Sequence, residues 1–427
     1  MKLLIKNGRV IDPANNIDDT CDVAIENGRI VSVGKTSEVF SADETIDAQG
    51  KIICPGLVDL QARLREPGQE HKATMESECR AAVRGGITAL CIPPDTYPVI
   101  DTPAMAHLIH DRSQNVGLNT VYPLGALTTG LKGDRLSDMA ALSNAGCVAL
   151  SNANSPVTNT LVMRRAMQYA ASFDLTVFLN AQDAWLQGNG CVHEGEISTR
   201  LGLPAIPEAA EIVGVARDLA LIETTGVRAH FCQLSSARAV AMIAEAQSRG
   251  LNVTADVTAH HLHLSEHDIG LFDTQCFVLP PLRGVADRDA LRRALGDGVV
   301  TAVCSDHQPH GTDAKLAPFS EAASGISGLE TLLVLIWRLV DEGAITMSQA
   351  IQSLTTNPGR ILGINDGTLS IGANANVCIF DPDNKWTLTE SDFHSRGKNS
   401  PFIGWEFNGK VSHTIVGGRV VYANGDI

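Results

Sequence analysis

The sequence predicts an α/β protein: a closed (β/α)8 barrel of TIM type carrying a small β-sandwich domain made from both termini. Three observations predict it. Between Gly56 and Cys304, short apolar runs of strand type alternate eight times with longer helical stretches, the sign of repeated βα units. The segments on either side of that region have a different texture, rich in strands and in Asn-Gly and Gly-Gly turns. The length of 427 residues suits a barrel of roughly 250 residues or more with a smaller companion.

Taken in order, Met1 to Val10 and Asp22 to Val33 are strand-like runs, and Asn7-Gly8 and Asn27-Gly28 carry the chemistry of hairpin turns. No helix is expected before residue 70. The barrel strands are Gly56 to Leu60, Ile87 to Ile92, Asn119 to Leu124, Gly146 to Leu150, Leu175 to Leu179, Val227 to Cys232, Leu251 to Val257 and Val299 to Cys304. Helical segments lie between them, among them Ala73 to Val83, Asn159 to Tyr169, Pro207 to Leu221 and Ala237 to Gln247. Eight such units in one run close into a barrel more readily than they spread into an open sheet, and the lack of a fixed sequence repeat argues against a solenoid. Helices at Leu332 to Val340 and Ser348 to Leu354 are expected to stop at Asn357-Pro358-Gly359. Strand texture then returns at Ala375 to Phe380, Val411 to Val416 and Arg419 to Tyr422, with Gly417-Gly418 as a turn. Neither terminal piece is long enough to bury a core alone. Residues 1–53 and 365–427 are therefore expected to form one composite domain, and 54–364 the barrel.

A hydrophobic content of 44% is ample for a buried core, and a net charge of −15 argues against nucleic acid or an anionic membrane as partner. The start, Met1 to Lys6, lacks the apolar run of a signal peptide, and no apolar run approaches membrane-spanning length. The ten cysteines are scattered singly with no C-x-x-C pair. They read as buried, reduced thiols of a cytoplasmic protein.

The stretch around which the chain is organised is Pro55 to Gly68, PGLVDLQARLREPG. An apolar strand closes in Arg65-Glu66-Pro67-Gly68, which continues neither strand nor helix. A strand ending in a polar loop early in a barrel is where the first catalytic residues stand. This stretch resembles the first strand and loop of the dihydroorotases, cyclic-amide hydrolases of the amidohydrolase superfamily, whose signature there is PG-x-VD-x-H-x-H-x-REPG. The resemblance extends to Ser324-Gly325-Ile326-Ser327-Gly328-Leu329-Glu330, Asn357 to Gly363 and Asn399-Ser400-Pro401-Phe402, and so spans nearly the full length.

What the resemblance implies for the site is a metal-held hydroxide, with histidines and acids at the carboxyl ends of several strands. In this sequence those positions are changed. Gln61 and Arg63 stand for the paired histidines, Asn152 and Ala153 for an acidic pair, Asn180 for a ligand histidine and Gln233 for another. Only the eighth strand keeps its pattern, with Asp306 and His310 in Ser305-Asp306-His307-Gln308-Pro309-His310. Neutral amides are weak zinc ligands. A guanidinium at 4 Å from a like unit charge is repelled by about 4 kcal/mol at an effective dielectric of about 20, and by about twice that beside a dication. The expectation is therefore no cofactor, a lost zinc site, and no catalytic residue. A carboxylate in a dry barrel mouth needs a partner, and Arg63 is the expected counter-charge of Asp306. The family's substrate-carboxylate frame maps onto Arg65, Asp95 and His310. Asp95 places a negative charge where an anion should bind, and Leu279 replaces a polar residue.

The cluster His260-His261-Leu262-His263 reads as structural or surface histidines, since the family does not use that segment for metal. His193 and His267 read as solvent residues, and Ser235-Ser236 as a cap on the next helix.

The resemblance implies a pseudoenzyme that keeps the dihydroorotase fold and serves as a structural, non-catalytic subunit of aspartate carbamoyltransferase in pyrimidine biosynthesis. The expected partners are that enzyme's catalytic chain and further copies of this chain. Two other readings stand beside it: a small-molecule sensor binding a pyrimidine intermediate through Arg65 and His310, and an altered, metal-poor cyclic amidohydrolase using Asp306 and His310.

Overall fold

The computed structural model describes residues 1–34 and 40–427. The chain opens with β1 (Lys2–Asp12), which pairs antiparallel with β2 (Ile17–Glu26); β2 turns at Asn27-Gly28 into β3 (Arg29–Gly34). Both turn residues have left-handed backbone, with φ of 50° and 76°, as a two-residue hairpin requires. Asn7-Gly8 behaves differently from the hairpin turn expected of it. β1 runs straight through, with a register shift against β2 between Ile5 and Gly8 and a φ of 64° at Asn7. The pair is a bulge, held because Asn7 is bonded on both sides: its amide donates to Asp22 Oδ1 and its side chain to Asp47 Oδ1. β4 (Glu44–Asp47) and β5 (Ile52–Pro55) then pair parallel with different stretches of β1.

The barrel follows: β6 (Leu57–Asp59), β7 (Ile87–Ile92), β8 (Thr120–Ala126), β9 (Ala149–Ser151) and β10 (Val177–Leu179). After β10 the chain makes a short parallel pair outside the barrel, β11 (Val192–His193) with β12 (Ala205–Ile206). It then returns for β13 (Ala229–Phe231), β14 (Val253–Thr258) and β15 (Ala302–Cys304). All neighbours are parallel and in sequence order from β6 to β15. The ring closes just beyond the strand ends, where Ala62 bridges His307, the Arg63 amide donates to His307 O at 2.8 Å, and the Ser305 amide to Asp59 Oδ1 at 2.9 Å. Every predicted barrel strand is found, β7 over the expected residues and the others trimmed or extended by a few.

Helices cover the outside. The helix Met75–Arg84 starts at a capping box of Thr74 and Ser77, and Ala237–Ser248 starts at Ser236, whose hydroxyl accepts from the Arg238 and Ala239 amides, the cap the sequence implied. Leu332–Asp341 buries most of its circumference, since it lies between the barrel and the small domain, with Trp337 edge-on to Phe380 at 5.0 Å. Contrary to the sequence reading, Asn357-Pro358-Gly359 does not end the helical region but lies inside Thr356–Leu362. Pro358 is the third residue of that helix, where the missing N–H would have had no intrahelical partner.

The chain ends in β16 (Val377–Thr387), β17 (Glu406–Val416) and β18 (Arg419–Ala423). β16 pairs antiparallel with β5, Cys378 opposite Cys54, so both termini share one sheet of order β18-β17-β16-β5-β1-β2-β3, with β4 also on β1. The two layers of the small domain thus belong to a single continuous sheet, wrapped about one core that takes Ile25, Ile30, Val377 and Ile415 from strands far apart in that order.

The barrel interior is filled. Val58, Leu60, Ala89, Cys91, Leu124, Phe178, Cys232 and Cys304 pack into it, and Gly56, just before β6, lies so close to β7 that a methyl group there would collide with Thr88. Any chemistry is therefore confined to the mouth and to polar groups built into the filling. Among the described residues no helix is long and apolar enough to cross a membrane.

Candidate functional site

The first and last barrel strands build the centre of the mouth. Gln61 and Arg63 follow β6, Asp306 follows β15, and Asp95 comes from the loop after β7. Arg63 Nε donates to Asp95 Oδ2 at 2.9 Å and its Nη1 to Asp306 Oδ1 at 3.0 Å; Gln61 Nε2 approaches the same Asp306 oxygen at 3.4 Å, and Gln308 Nε2 donates to Asp306 Oδ2 at 3.0 Å. Arg63 and Asp306 are almost fully buried. Burial pushes the Asp306 carboxyl up to about 6 against the pull of Arg63. Arg63 itself stays charged, since Asp95 and Asp306 outweigh its desolvation.

The other positions fall into separate groups. Arg65 donates to Pro309 O at 3.1 Å and meets His310 Nε2 at 3.1 Å. Burial and the neighbouring Arg63 lower Arg65 to about 10, and burial and Arg65 lower His310 to about 3, so His310 is neutral. Its Nε2 also lies 2.9 Å from Ser324 O, a contact that needs a proton where the Arg65 contact needs a lone pair. The frame that would hold a substrate carboxylate is thus bonded within itself. Asn180 and Gln233 meet at 3.4 Å, and Asn180 also donates to Asn154 at 2.7 Å. Asn180, Gln182 and Leu279 line a cavity of about 80 Å³ beside the mouth. Asn152 joins neither group: its side chain accepts from Thr128 and donates to Leu131 O and Ser155 O, fastening loops. Arg65, Ala153, Gln233 and Asp306 all have positive φ, between 43° and 63°, a costly backbone for side-chain-bearing residues. The mouth keeps a demanding backbone course under altered side chains.

These residues do not fit a pair of metal ions at the mouth. Of the positions implied by the resemblance, one offers a carboxylate and the others amides, a guanidinium and, at Ala153, a methyl group; the guanidinium is bonded to that carboxylate. The expectation of no cofactor, drawn from the lost zinc ligands of the mouth, is not supported, because a cluster elsewhere in the barrel offers metal donors that sequence reasoning missed. His230, Cys232 and Asp256 place one ligand atom each within 4.8 Å of one another, all buried. His230 and Cys232 stand in the same segment as Gln233, but Asp256, inside the strand run Leu251 to Val257, carries no signal in the sequence that it points inward.

The histidines of the 260 segment are buried. His261 Nδ1 lies 2.7 Å from Thr258 Oγ1 and His263 Nε2 2.8 Å from Leu335 O, and burial lowers both to about 4. His267 is exposed, as read. His193 is corrected from a solvent residue to a half-buried one, 3.2 Å from Arg283 Nη1, because the short strand pair folds over that region.

Comparison with known proteins agrees with this frame. A family model described as dihydro-orotase-like matches residues 50–239, and one described as amidohydrolase family matches 212–422. A dihydroorotase-like protein of Pseudomonas aeruginosa is 46% identical over 422 residues, covering 99% of this chain and 100% of that one. This chain belongs to the dihydroorotase-like family of amidohydrolases. A protein named dihydroorotase from Trichlorobacter lovleyi is 42% identical over 423 residues, covering 99% of this chain and all of its own. Another of that name, from Syntrophotalea carbinolica, is 44% identical over 427 residues, covering the whole of both chains. Among solved structures, an L-hydantoinase (dihydropyrimidinase) from Arthrobacter aurescens superposes with a TM-score of 0.89 at 23% identity, covering all of this chain and 97% of its own. That likeness confirms the fold: an amidohydrolase barrel with an additional, mainly β domain. The full-length dihydroorotase-named relatives overturn the expectation that this member of the family is a pseudoenzyme.

Proposed function

We propose that this dihydroorotase-like chain serves pyrimidine synthesis in the cytoplasm as an assembly partner of the aspartate carbamoyltransferase catalytic chain, with additional contacts between its own copies. The observation that carries the reading is the Asp95–Arg63–Asp306 bridge. A barrel whose mouth is neutralised by its own side chains keeps its fold, and with it an outer docking surface, without depending on an ion or a substrate. The 46% identity to a protein named dihydroorotase-like supports a full-length fold of this kind. Co-expression with the catalytic chain of the same organism tests it. Light scattering is expected to give a stable heteromeric particle whose carbamoyltransferase activity falls when this chain is omitted. Two separate species at micromolar concentration would refute it.

The relatives named dihydroorotase favour a second reading, compatible with the first, in which the mouth opens a cyclic amide with altered chemistry. Asp306, held at about 6, is then the general base that takes a proton from water, and the Arg63 charge steadies the developing anion. Turnover of dihydroorotate or a related cyclic amide, lost in Asp306→Asn, is the expected result. Unchanged turnover in that variant removes Asp306 from the chemistry.

A further inference from the structure

Below the mouth, inside the barrel filling, β13, β14 and β15 bring together a second set of polar groups. His230 Nε2 lies 2.9 Å from Asp256 Oδ2, and the other ring nitrogen, Nδ1, lies 2.8 Å from Thr254 Oγ1. Asp256 Oδ1 accepts from the Gln233 amide at 2.7 Å and from Cys304 Sγ at 3.4 Å. Cys232 Sγ completes the group, with only a 3.9 Å contact to its neighbour's carbonyl. His230 and Asp256 are within 1% of complete burial.

Three donors of three kinds, imidazole, thiol and carboxylate, lie within 4.8 Å of one another, and a second thiol, Cys304, touches the carboxylate at 3.4 Å; they come from three adjacent strands in a region that otherwise packs Val, Leu, Ala and Phe. Zinc favours this mixture in closed, four-coordinate sites. The surroundings also hold the donors as metal ligands are held. Thr254 Oγ1 can accept a hydrogen bond from His230 Nδ1–H, the tautomer that leaves Nε2 bare toward the cluster, and the Gln233 amide holds the carboxylate from behind. The contrast with the mouth is chemical: there a guanidinium bridges Asp95 and Asp306, whereas among the described residues no lysine or arginine is bonded to Asp256.

We infer that His230, Cys232, Asp256 and Cys304 form a buried zinc site one layer beneath the mouth. Occupancy releases the two thiol protons to solvent, and the histidine proton resides on Nδ1, so the ion replaces the hydrogen bond now shared by His230 and Asp256. Such a site ties β13, β14 and β15 together and is structural, since no open position faces a substrate.

Cobalt(II) is the probe, titrated into chelator-treated full-length protein. The expected result is one equivalent bound, with a thiolate-to-cobalt charge-transfer band and the visible spectrum of a tetrahedral ion, both removed by zinc. Cys232→Ser and Cys232→Ala, checked for folding by circular dichroism, are expected to lose most of the charge-transfer band and to bind at least about tenfold more weakly. Gln61→Ala, at the mouth, is expected to leave the spectrum unchanged. Folded wild-type protein that takes up no cobalt, or takes it up without a thiolate band, overturns the inference. So does a spectrum unaffected by the Cys232 variants or abolished by Gln61→Ala.

Discussion

Arg63 Nη1 lies 3.0 Å from Asp306 Oδ1, and these two residues follow the first and last strands of the barrel. The contact therefore spans the seam at which the barrel closes. It puts a protein cation beside the one carboxylate the mouth retains. Desolvation outweighs the attraction, since Asp306 still sits near 6, so the pair matters less for net stability than for the penalty of breaking it.

That asymmetry is measurable. Arg63→Met leaves Asp306 buried without its cation and is expected to cost about 3–5 kcal/mol in urea unfolding. Arg63→Met with Asp306→Leu removes both charges and is expected to return to within about 1 kcal/mol of the wild type, or above it. A double variant no better than Arg63→Met alone would show that the seam needs the ion pair itself.

Asp306 also sets a pH dependence with a definite sign. Its folded value is raised from 3.8 to about 6. Between about pH 4 and 6 the folded chain therefore keeps a proton that the unfolded chain has lost, and stability falls as pH rises through that window, by up to about 3 kcal/mol, and is flat above it. His261, near 4, and His310, near 3, act in the opposite direction up to their ordinary value, because the unfolded chain protonates them first. The comparison is therefore with Asp306→Asn at each pH. The wild type is expected to lose ground to the variant from pH 4 to 6; a gain would contradict the raised value.

Much of the fold is legible because the barrel strands are short apolar runs with few competing interpretations, as at Ile87–Ile92, found over the same residues. The errors share a cause: the meaning of a local signal depends on neighbours far away in sequence. Asn7-Gly8 becomes a bulge because Asp22 and Asp47 hold Asn7, and Asn357-Pro358-Gly359 joins a helix because Pro358 falls in its first turn. At the mouth, charge logic alone pairs Arg63 with Asp306. The inward Asp256, reached by His230 from the neighbouring strand, leaves no trace in a linear pattern.

Close approach at the start of β6 gives a second stability test. A methyl group on Gly56 would lie within 3 Å of three Thr88 side-chain atoms, and a filled barrel has little room to yield. Gly56→Ala is expected to cost about 1–3 kcal/mol. Thr88→Ala in the same chain is expected to recover part of that loss, since the two residues touch and their effects should not add. Additive losses in the four-member cycle would mean that the backbone, and not Thr88, sets the limit.

The thiols offer a probe of the whole fold. All ten cysteines are unpaired and only Cys21 is not buried. Burial raises Cys79 and keeps Cys91, Cys232 and Cys304 well above the ordinary range, and the thiolate is the reacting form. A disulfide reagent at neutral pH is therefore expected to modify one thiol of the folded chain, Cys21, and slowly, because burial and the adjacent Asp19 and Asp22 raise it as well. The remaining nine should react only after denaturant opens the barrel and the composite sheet. The nine should appear together if the two domains unfold as one unit, as the helix Leu332–Asp341 packed between them implies. Release in two steps, with Cys54 and Cys378 of the small sheet ahead of the barrel thiols, would show that the two domains unfold separately.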